Sequence, residues 1–322
     1  MNDPQAQLVQ ILAELKQNLA QPRAETLAFL AEATKKLRWI PLSVEPRLRV
    51  ECLLAIAQQY IFNGQSMFSA VEPAALAVML ARDASDPSLL RRALNFQGIV
   101  LYETNNPGDA VRVLTEALDV AEAIGEDLGR CGVWNNLGIA FLQAAMYQDA
   151  KDCFDRSAQI GAGNAQLRSH RASALNNAAL CCLHLREVEE GLGLAIKASS
   201  LRSAGAAEGV EALNRVLGET THTRLLLADG NVPEARERAQ IALELARNAK
   251  TMRADIAAAC AEGLVEIFEG QIDVGISRGL AALEKARQVR PQLRDALLAL
   301  IQGFEKAGRA DKALSLHREL TM

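Results

Sequence analysis

A small residue returns about every 40 positions through most of this 322-residue chain, and that period constrains the fold more than any other feature. Ala70, Ala110, Ala150, Gly191, Ala235, Gly275 and Ala313 stand in register, with steps of 40, 40, 41, 44, 40 and 38 between them. Polar or glycine-containing stretches run up to most of them: NNPGDA at 105–110, AMYQDA at 145–150, DGNVPEA at 229–235, EGQIDVG at 269–275 and AGRADKA at 307–313. On either side of these stretches apolar residues recur at three- and four-residue steps, which sets them on one face of an α-helix. The repeated unit is therefore two helices joined by a turn that stops the first and caps the second. One such pair cannot bury its apolar face alone, so the pairs must stack on their neighbours.

Proline placement obeys the same grammar. Pro73, Pro87, Pro107, Pro233 and Pro291 each fall near a predicted helix start, where a missing N–H costs nothing. Half of the residues are apolar but only 4% are aromatic, and the apolar mass is Ala and Leu, which favours helix over sheet. The formal charge is −4, with 35 basic and 39 acidic residues spread along the chain, and that balance leaves no footprint for nucleic acid. No stretch approaches the ~18 apolar residues of a membrane span, and MNDPQAQLVQ lacks the charged-then-apolar pattern of a signal peptide. A cytoplasmic protein without a membrane partner is expected. Cys52, Cys131, Cys153, Cys181, Cys182 and Cys260 lie in helical patterns, with no C-x-x-C pair and no His at metal spacing. They are expected as buried free thiols, with no metal site and no cofactor.

Asp3 and Pro4 open a first helix as cap and first helical residue, and a second runs from about Pro22 to Trp39. Residues 1–40 match the period poorly and are expected as a capping pair. IPLSVEP, residues 40–46, carries two prolines and no helical period, so it marks a boundary. About seven hairpins are expected over 46–322. The step of 44 coincides with SLRSAGAAEG at 200–209, whose small residues suggest an enlarged connection.

The clearest copy of the unit is GVWNNLGIAFLQAAMYQDAKDCFDRS, from Gly132 to Ser157. Its order of large and small residues resembles one unit of the tetratricopeptide repeat (TPR). Trp134, Leu137, Gly138, Phe141, Ala150 and Phe154 fall on signature positions of that family, and Ser157 replaces its usual small Ala. A period near 40 exceeds the usual ~34, so the resemblance is to the longer-helix branch seen in kinesin light chains and in bacterial regulators related to the maltose activator. The fold it implies is all-α: an α-solenoid of antiparallel helix pairs wound into a right-handed superhelix. LNFQGIVL from Leu94, WNNLGIAF from Trp134 and LNNAALCC from Leu175 overlay, so that Gly98, Gly138 and Ala179 share one position. A mid-helix Gly costs about 0.8–1.0 kcal/mol relative to Ala, and close approach of the partner helix is the expected reason for it. Later pairs fit less well, with Thr223 and Ile301 at the small position and Gly279 where a bulky residue is expected.

The same overlay aligns Asn95, Asn135 and Asn176, one residue after the bulky anchor of each first helix. Asn is a poor mid-helix residue, so three in register ask for an explanation. A side-chain amide offers two donors and an acceptor, which suits the N–H and C=O of an extended peptide. The resemblance sets this position on a concave groove, where asparagine ladders of peptide-binding relatives do that work. The alternative is that these residues brace neighbouring helices, the role expected of Asn136 and Asn177. Tyr102, Glu103, Gln143 and His184, late in the same helices, are further groove candidates. Arg130, Arg171 and Arg215, with Arg91 close to their register, stand at the starts of successive first helices. Cations there oppose the helix dipole, so they are either held by carboxylates or used on an acidic ligand group.

Catalytic motifs are missing. His170, His184, His222 and His317 lie on different predicted helices, without H-E-x-x-H spacing, and neither G-x-S-x-G nor GxxxxGK[ST] occurs. GLGLAIK from Gly191 follows no strand. The expected function is a non-enzymatic protein-interaction scaffold in bacterial regulation, binding a peptide or helix of a partner protein in the groove. The competing reading is a sensory or dimerisation module for a signalling output domain on the same or a partner chain. Its motive is Leu314, Leu316 and Leu320, which would leave an apolar end on the last helix for a homodimer.

Overall fold

A computed structural model describes residues 3–17, 23–41, 44–63, 67–202, 209–288 and 293–321. These residues contain sixteen α-helices and no strand, and none of the helices is long and apolar enough to cross a membrane. Pro22, Pro291 and most of SLRSAGAAEG lie outside the described residues. The chain divides into two compact units, Met1–Met146 and Tyr147–Met322, and segment 40–46 falls inside the first.

The first unit contains α1 (Pro4–Gln17), α2 (Arg23–Trp39), α3 (Pro46–Asn63), α4 (Val71–Asp83), α5 (Pro87–Glu103), α6 (Pro107–Ile124) and α7 (Asp127–Gln143). One core runs from Leu8, Leu15 and Leu30 through Val50, Ile56 and Ala77 to Leu94, Val113 and Val133, so the leading helices share it with the rest. The corner between α2 and α3 is closed by Arg49, 2% exposed. Its guanidinium donates to the carbonyls of Leu37 at 2.8 Å and of Ile40 and Pro41 at 2.6 Å. The Leu37 carbonyl lies in the last turn of α2, where no intrahelical N–H reaches it, and those of Ile40 and Pro41 lie just beyond the helix. The start of α5 is capped by Asp86 accepting from Leu89 N at 3.1 Å, and that of α6 by Asn106 accepting from Asp109 N at 3.3 Å, each with a proline next in line. Gly98 explains the aligned small position: a Cβ there would overlap the buried Leu114 side chain of α6. Gly138 is likewise buried.

The second unit contains α8 (Tyr147–Ile160), two 3-10 turns (Gly161–Gly163 and Ala165–Leu167), α9 (Arg168–Leu185) and α10 (Val188–Ser200). It continues with α11 (Gly209–Asp229), α12 (Val232–Ala249), α13 (Met252–Phe268), α14 (Ile272–Gln288), α15 (Leu293–Lys306) and α16 (Ala310–Thr321). Helices α13 and α14 approach closely where Gly263 faces Gly275, and a Cβ on Gly263 would lie 2.8 Å from the Gly275 carbonyl oxygen. All seven residues of the 40-residue register are buried. The turn ahead of six of them uses one residue of left-handed backbone: Asn105, Ala145, Arg186, Gly230, Gly270 and Gly308.

The expectation of an apolar end on the last helix needs correction. Leu316 is buried and Leu320 packs against the core, so of the three leucines only Leu314, 54% exposed, faces outward. The helix turns the other two inward, onto a core that includes Leu297, Ile301 and Phe304 of α15.

Layering within each unit follows from which helices touch. In the first, α3, α5 and α7 lie side by side; in the second, α9, α11, α13 and α15 do. Among the described residues the even-numbered helices make no comparable contact with one another. A two-layer stack that is tight in one layer and splayed in the other curves toward the tight layer. The odd-numbered helices therefore form the inner face of each unit.

Candidate functional site

On the inner face of the first unit, Asn95 and Asn135 are partly buried on α5 and α7. Asn136 Nδ2 donates to Asn95 Oδ1 at 2.9 Å, tying α7 to α5, the bracing role expected of Asn136. Gln143 is partly buried at the end of α7. Tyr102 and Glu103 are 6% and 8% exposed, so the end of α5 that carries them is packed rather than open. Arg130 is held by carboxylates: its Nε lies 2.8 Å from Glu122 and its Nη1 3.2 Å from Asp127. Arg91 pairs with Glu126 at 3.2 Å and lies across Gly129, where a Cβ would come within 2.6 Å of its Nε. Burial lowers the pKa of that guanidinium, while Glu126 opposes the shift.

The second unit leaves polar groups less well satisfied. Asn176 on α9 is 5% exposed, and its Oδ1 has no hydrogen-bond partner among the described residues. Nε of Arg171 is also buried without one, whereas Arg215 on α11 is partly buried. His184, near the end of α9, stacks on Tyr147 with ring centroids 4.4 Å apart and planes 8° from parallel. Tyr147 opens α8, and its hydroxyl accepts from Arg294 Nη2 at 3.2 Å, a contact between residues 147 positions apart. Burial, with the charges of Arg224 and Arg294, pushes the His184 pKa down to about 3, so the imidazole is neutral at physiological pH.

Arg224 on α11, Arg253 and Cys260 on α13, and Asp295 on α15 complete the surroundings. Burial lowers the pKa of Arg224, against the influence of Asp295, and its Nε has no hydrogen-bond partner among the described residues. Burial raises the pKa of Asp295 although Arg224, Arg294 and Arg253 all act to lower it. The Cys260 thiol is pushed up to about 12, chiefly by burial and further by Asp295. Of this group the sequence pattern singles out only His184. A signal was nonetheless present: α13 and α15 each carry an arginine near their start, continuing the series of Arg130, Arg171 and Arg215.

All six cysteines are free and buried. Burial pushes Cys153, Cys181 and Cys182 up to about 12, which makes them poor nucleophiles. Ligand atoms of Cys182, Glu187 and Glu190 come within 4.8 Å of one another. Lys151 already serves that carboxylate, 2.8 Å from Glu190 and 3.3 Å from Asp155. Burial opposes the Lys151 ammonium, yet its bonds to Glu190 and Asp155 outweigh burial and raise its pKa.

No family model matches the chain, and no curated protein matches it in sequence. Solved structures do match. The Rap conjugation gene regulator of plasmid pLS20, in complex with the Phr* peptide, aligns with a TM-score of 0.64 at 14% identity, over 98% of this chain and 96% of that one. NprR in complex with its cognate peptide NprX gives 0.59 at 13% identity, over 94% and 84%. The nearly identical TPR-like repeats of a Podosopora anserina kinesin light chain candidate give 0.51 at 17% identity, over 62% and 95%. At these identities the likeness is one of fold. The chain is an all-α, TPR-like helical solenoid.

Proposed function

We propose that the chain is a non-enzymatic interaction scaffold in bacterial regulation, holding a peptide or a helix of a partner protein against the inner face of its odd-numbered helices. The observation that carries this reading is the inner layer of each unit, on which Asn95, Asn135, Gln143, Arg171, His184 and Arg215 all remain partly exposed. Two of the structural neighbours hold peptides.

Magnitude sets how much else is needed. The partly exposed amides of Asn95 and Asn135, at a net ~0.5–1.5 kcal/mol per hydrogen bond, supply at most a few kcal/mol. Micromolar affinity needs about 8 kcal/mol. Gln143, His184, Arg171 and Arg215 are the candidates for the remainder; Arg130 is committed to its own carboxylates and Tyr102 is buried. A pull-down from bacterial extract, with cross-linking to identify the bound segment, tests the reading. A triple Asn95→Ala, Asn135→Ala, Asn176→Ala variant should lose that segment with helicity unchanged, and retention of the same segment would overturn the ladder. A dimerising role through α16 has only Leu314 as exposed apolar support among its three leucines, so a monomer is expected in light scattering.

A further inference from the structure

Tyr147, His184, Arg224, Arg294 and Asp295 come from four helices and meet on the inner face of the second unit. From that convergence we infer that this face carries a carboxylate-binding site, in which Arg224 and Arg294 receive a carboxylate presented by the bound peptide. The inference rests on the peptide reading above and names the chemistry of its ligand.

The geometry comes first. Arg294 is tethered through one nitrogen to Tyr147, whose ring backs the His184 imidazole in a near-parallel stack. The guanidinium of Arg224 has a buried Nε without a hydrogen-bond partner among the described residues. A guanidinium is a rigid fork of five donors that matches a carboxylate in two parallel bonds. Arg224 is partly buried, and this one donor, Nε, is left without a partner among the described residues. Asp295 is the carboxylate whose charge acts on Arg224, but among the described residues no ion pair joins the two.

Charge then selects the ligand. His184 is neutral, and the charges that act on it are the positive ones of Arg224 and Arg294. One additional carboxylate would meet two guanidiniums with only Asp295 in competition. A planar carboxylate matches the fork of a single guanidinium in two parallel bonds, and inorganic phosphate is the competing anion in the test. The Tyr147–His184 stack adds a flat apolar wall against which a side chain next to that carboxylate can pack.

The experiment uses the full chain and a hexapeptide library in three forms: free C-terminus, amidated C-terminus, and amidated with every Asp and Glu replaced by Asn and Gln. Wild type should bind the first form at least tenfold more tightly than the third, and the second form assigns the carboxylate to a chain end or a side chain. Arg224→Met and Arg294→Met should each lose tenfold or more on carboxylate-bearing peptides and nothing on neutral ones, with Arg224→Lys recovering part. If one methionine variant does not fold, the other carries the comparison. Equal affinity for all three forms overturns the carboxylate site and leaves the peptide reading standing. Should no peptide bind in any form, the peptide reading fails, and acetate titrated at constant ionic strength decides the site. Acetate must raise the pKa of His184, followed by NMR, in wild type and not in Arg224→Met. An unmoved pKa, or a larger shift with inorganic phosphate than with acetate, overturns the inference.

Discussion

In the first unit the polar side chains of the inner layer and its corners find partners within the fold: Asn136 with Asn95, Arg130 with Glu122 and Asp127, Arg91 with Glu126, Arg49 with three carbonyls. Arg49 and Arg91 leave Nε unused and Glu103 leaves one carboxylate oxygen unused, but the terminal nitrogens of both arginines are engaged. In the second unit Asn176 Oδ1, Arg224 Nε and both ring nitrogens of His222 are buried without a partner among the described residues. That unit has strong clamps of its own, Arg236 with Glu262 and Glu269 and Arg278 with Glu266, and these join α13 to α12 and α14. The contrast teaches where to look for function. A satisfied buried group contributes to stability, whereas an unsatisfied one burdens the fold and is the group from which a ligand can gain.

The contrast breaks most readily at Arg49. Arg49→Ala strands the carbonyls of Leu37 and Ile40, leaves that of Pro41 with Val44 N alone and opens a cavity, so unfolding in urea should show a loss of about 3 kcal/mol or more. A loss below about 1 kcal/mol would mean that the partners in the first unit contribute little, and the division between the units would lose its meaning.

Acid sharpens the other side. Between pH 3 and 6.5 the unfolded chain binds a proton at His184 that the folded chain refuses, because the folded pKa is pushed down to about 3. Stability from this group is therefore complete above pH 6.5 and falls as pH drops, by at most about 1.4 kcal/mol per pH unit. His184→Phe keeps an aromatic stack on Tyr147 and removes the proton. Its stability should be flatter than that of wild type from pH 6.5 to 5, before most carboxylates titrate. Parallel curves would place His184 in water.

A matched pair of substitutions gives a smaller and more direct comparison. Asn95→Ala removes the acceptor of Asn136 and should destabilise by about 1 kcal/mol. Arg224→Met removes a partly buried cation whose Nε has no hydrogen-bond partner among the described residues and should leave stability unchanged or raise it. Equal losses for both would show Arg224 to be structural, against the role given to it above.

Periodicity made the helices legible, because a pair that must bury one face repeats the same small residues wherever helices cross. All seven register residues are buried, and Gly98 meets Leu114 as the overlay requires. Bracing by Asn136 was legible for the same reason, as a residue one step round the helix from Asn135. Tyr147 was visible only as part of the AMYQDA turn. Its meeting with Arg294 depends on how α8 and α15 are brought together by the helices between them, and that is a sum of small interhelical rotations which no local pattern encodes. Arg224, Arg253 and Asp295 escaped because charged residues on a helix are ordinarily solvated, and only the packing of several helices reveals that these are not. Leu316 and Leu320 show the converse: apolar spacing identified a face but not which side of the last helix would be covered.

The smallest effect concerns the turns, where the two units solve one backbone problem with different residues. Asn105 in the first and Arg186 in the second both hold left-handed backbone, with φ of 63° and 64°. Asn reaches that region at little cost because its short polar side chain bonds locally, whereas an ordinary L-residue is strained there by about 1–2 kcal/mol. Glycine relieves the strain but enlarges the unfolded ensemble, which takes back part of the gain. Arg186→Gly should therefore stabilise by about 0.5–1 kcal/mol, and Asn105→Gly should change stability by little. The measurement is the midpoint of thermal unfolding, where a gain of that size in a chain this long amounts to roughly 1 °C. An equal gain from both substitutions would assign the effect to glycine itself, and a loss from Arg186→Gly would show that the arginine side chain holds the turn.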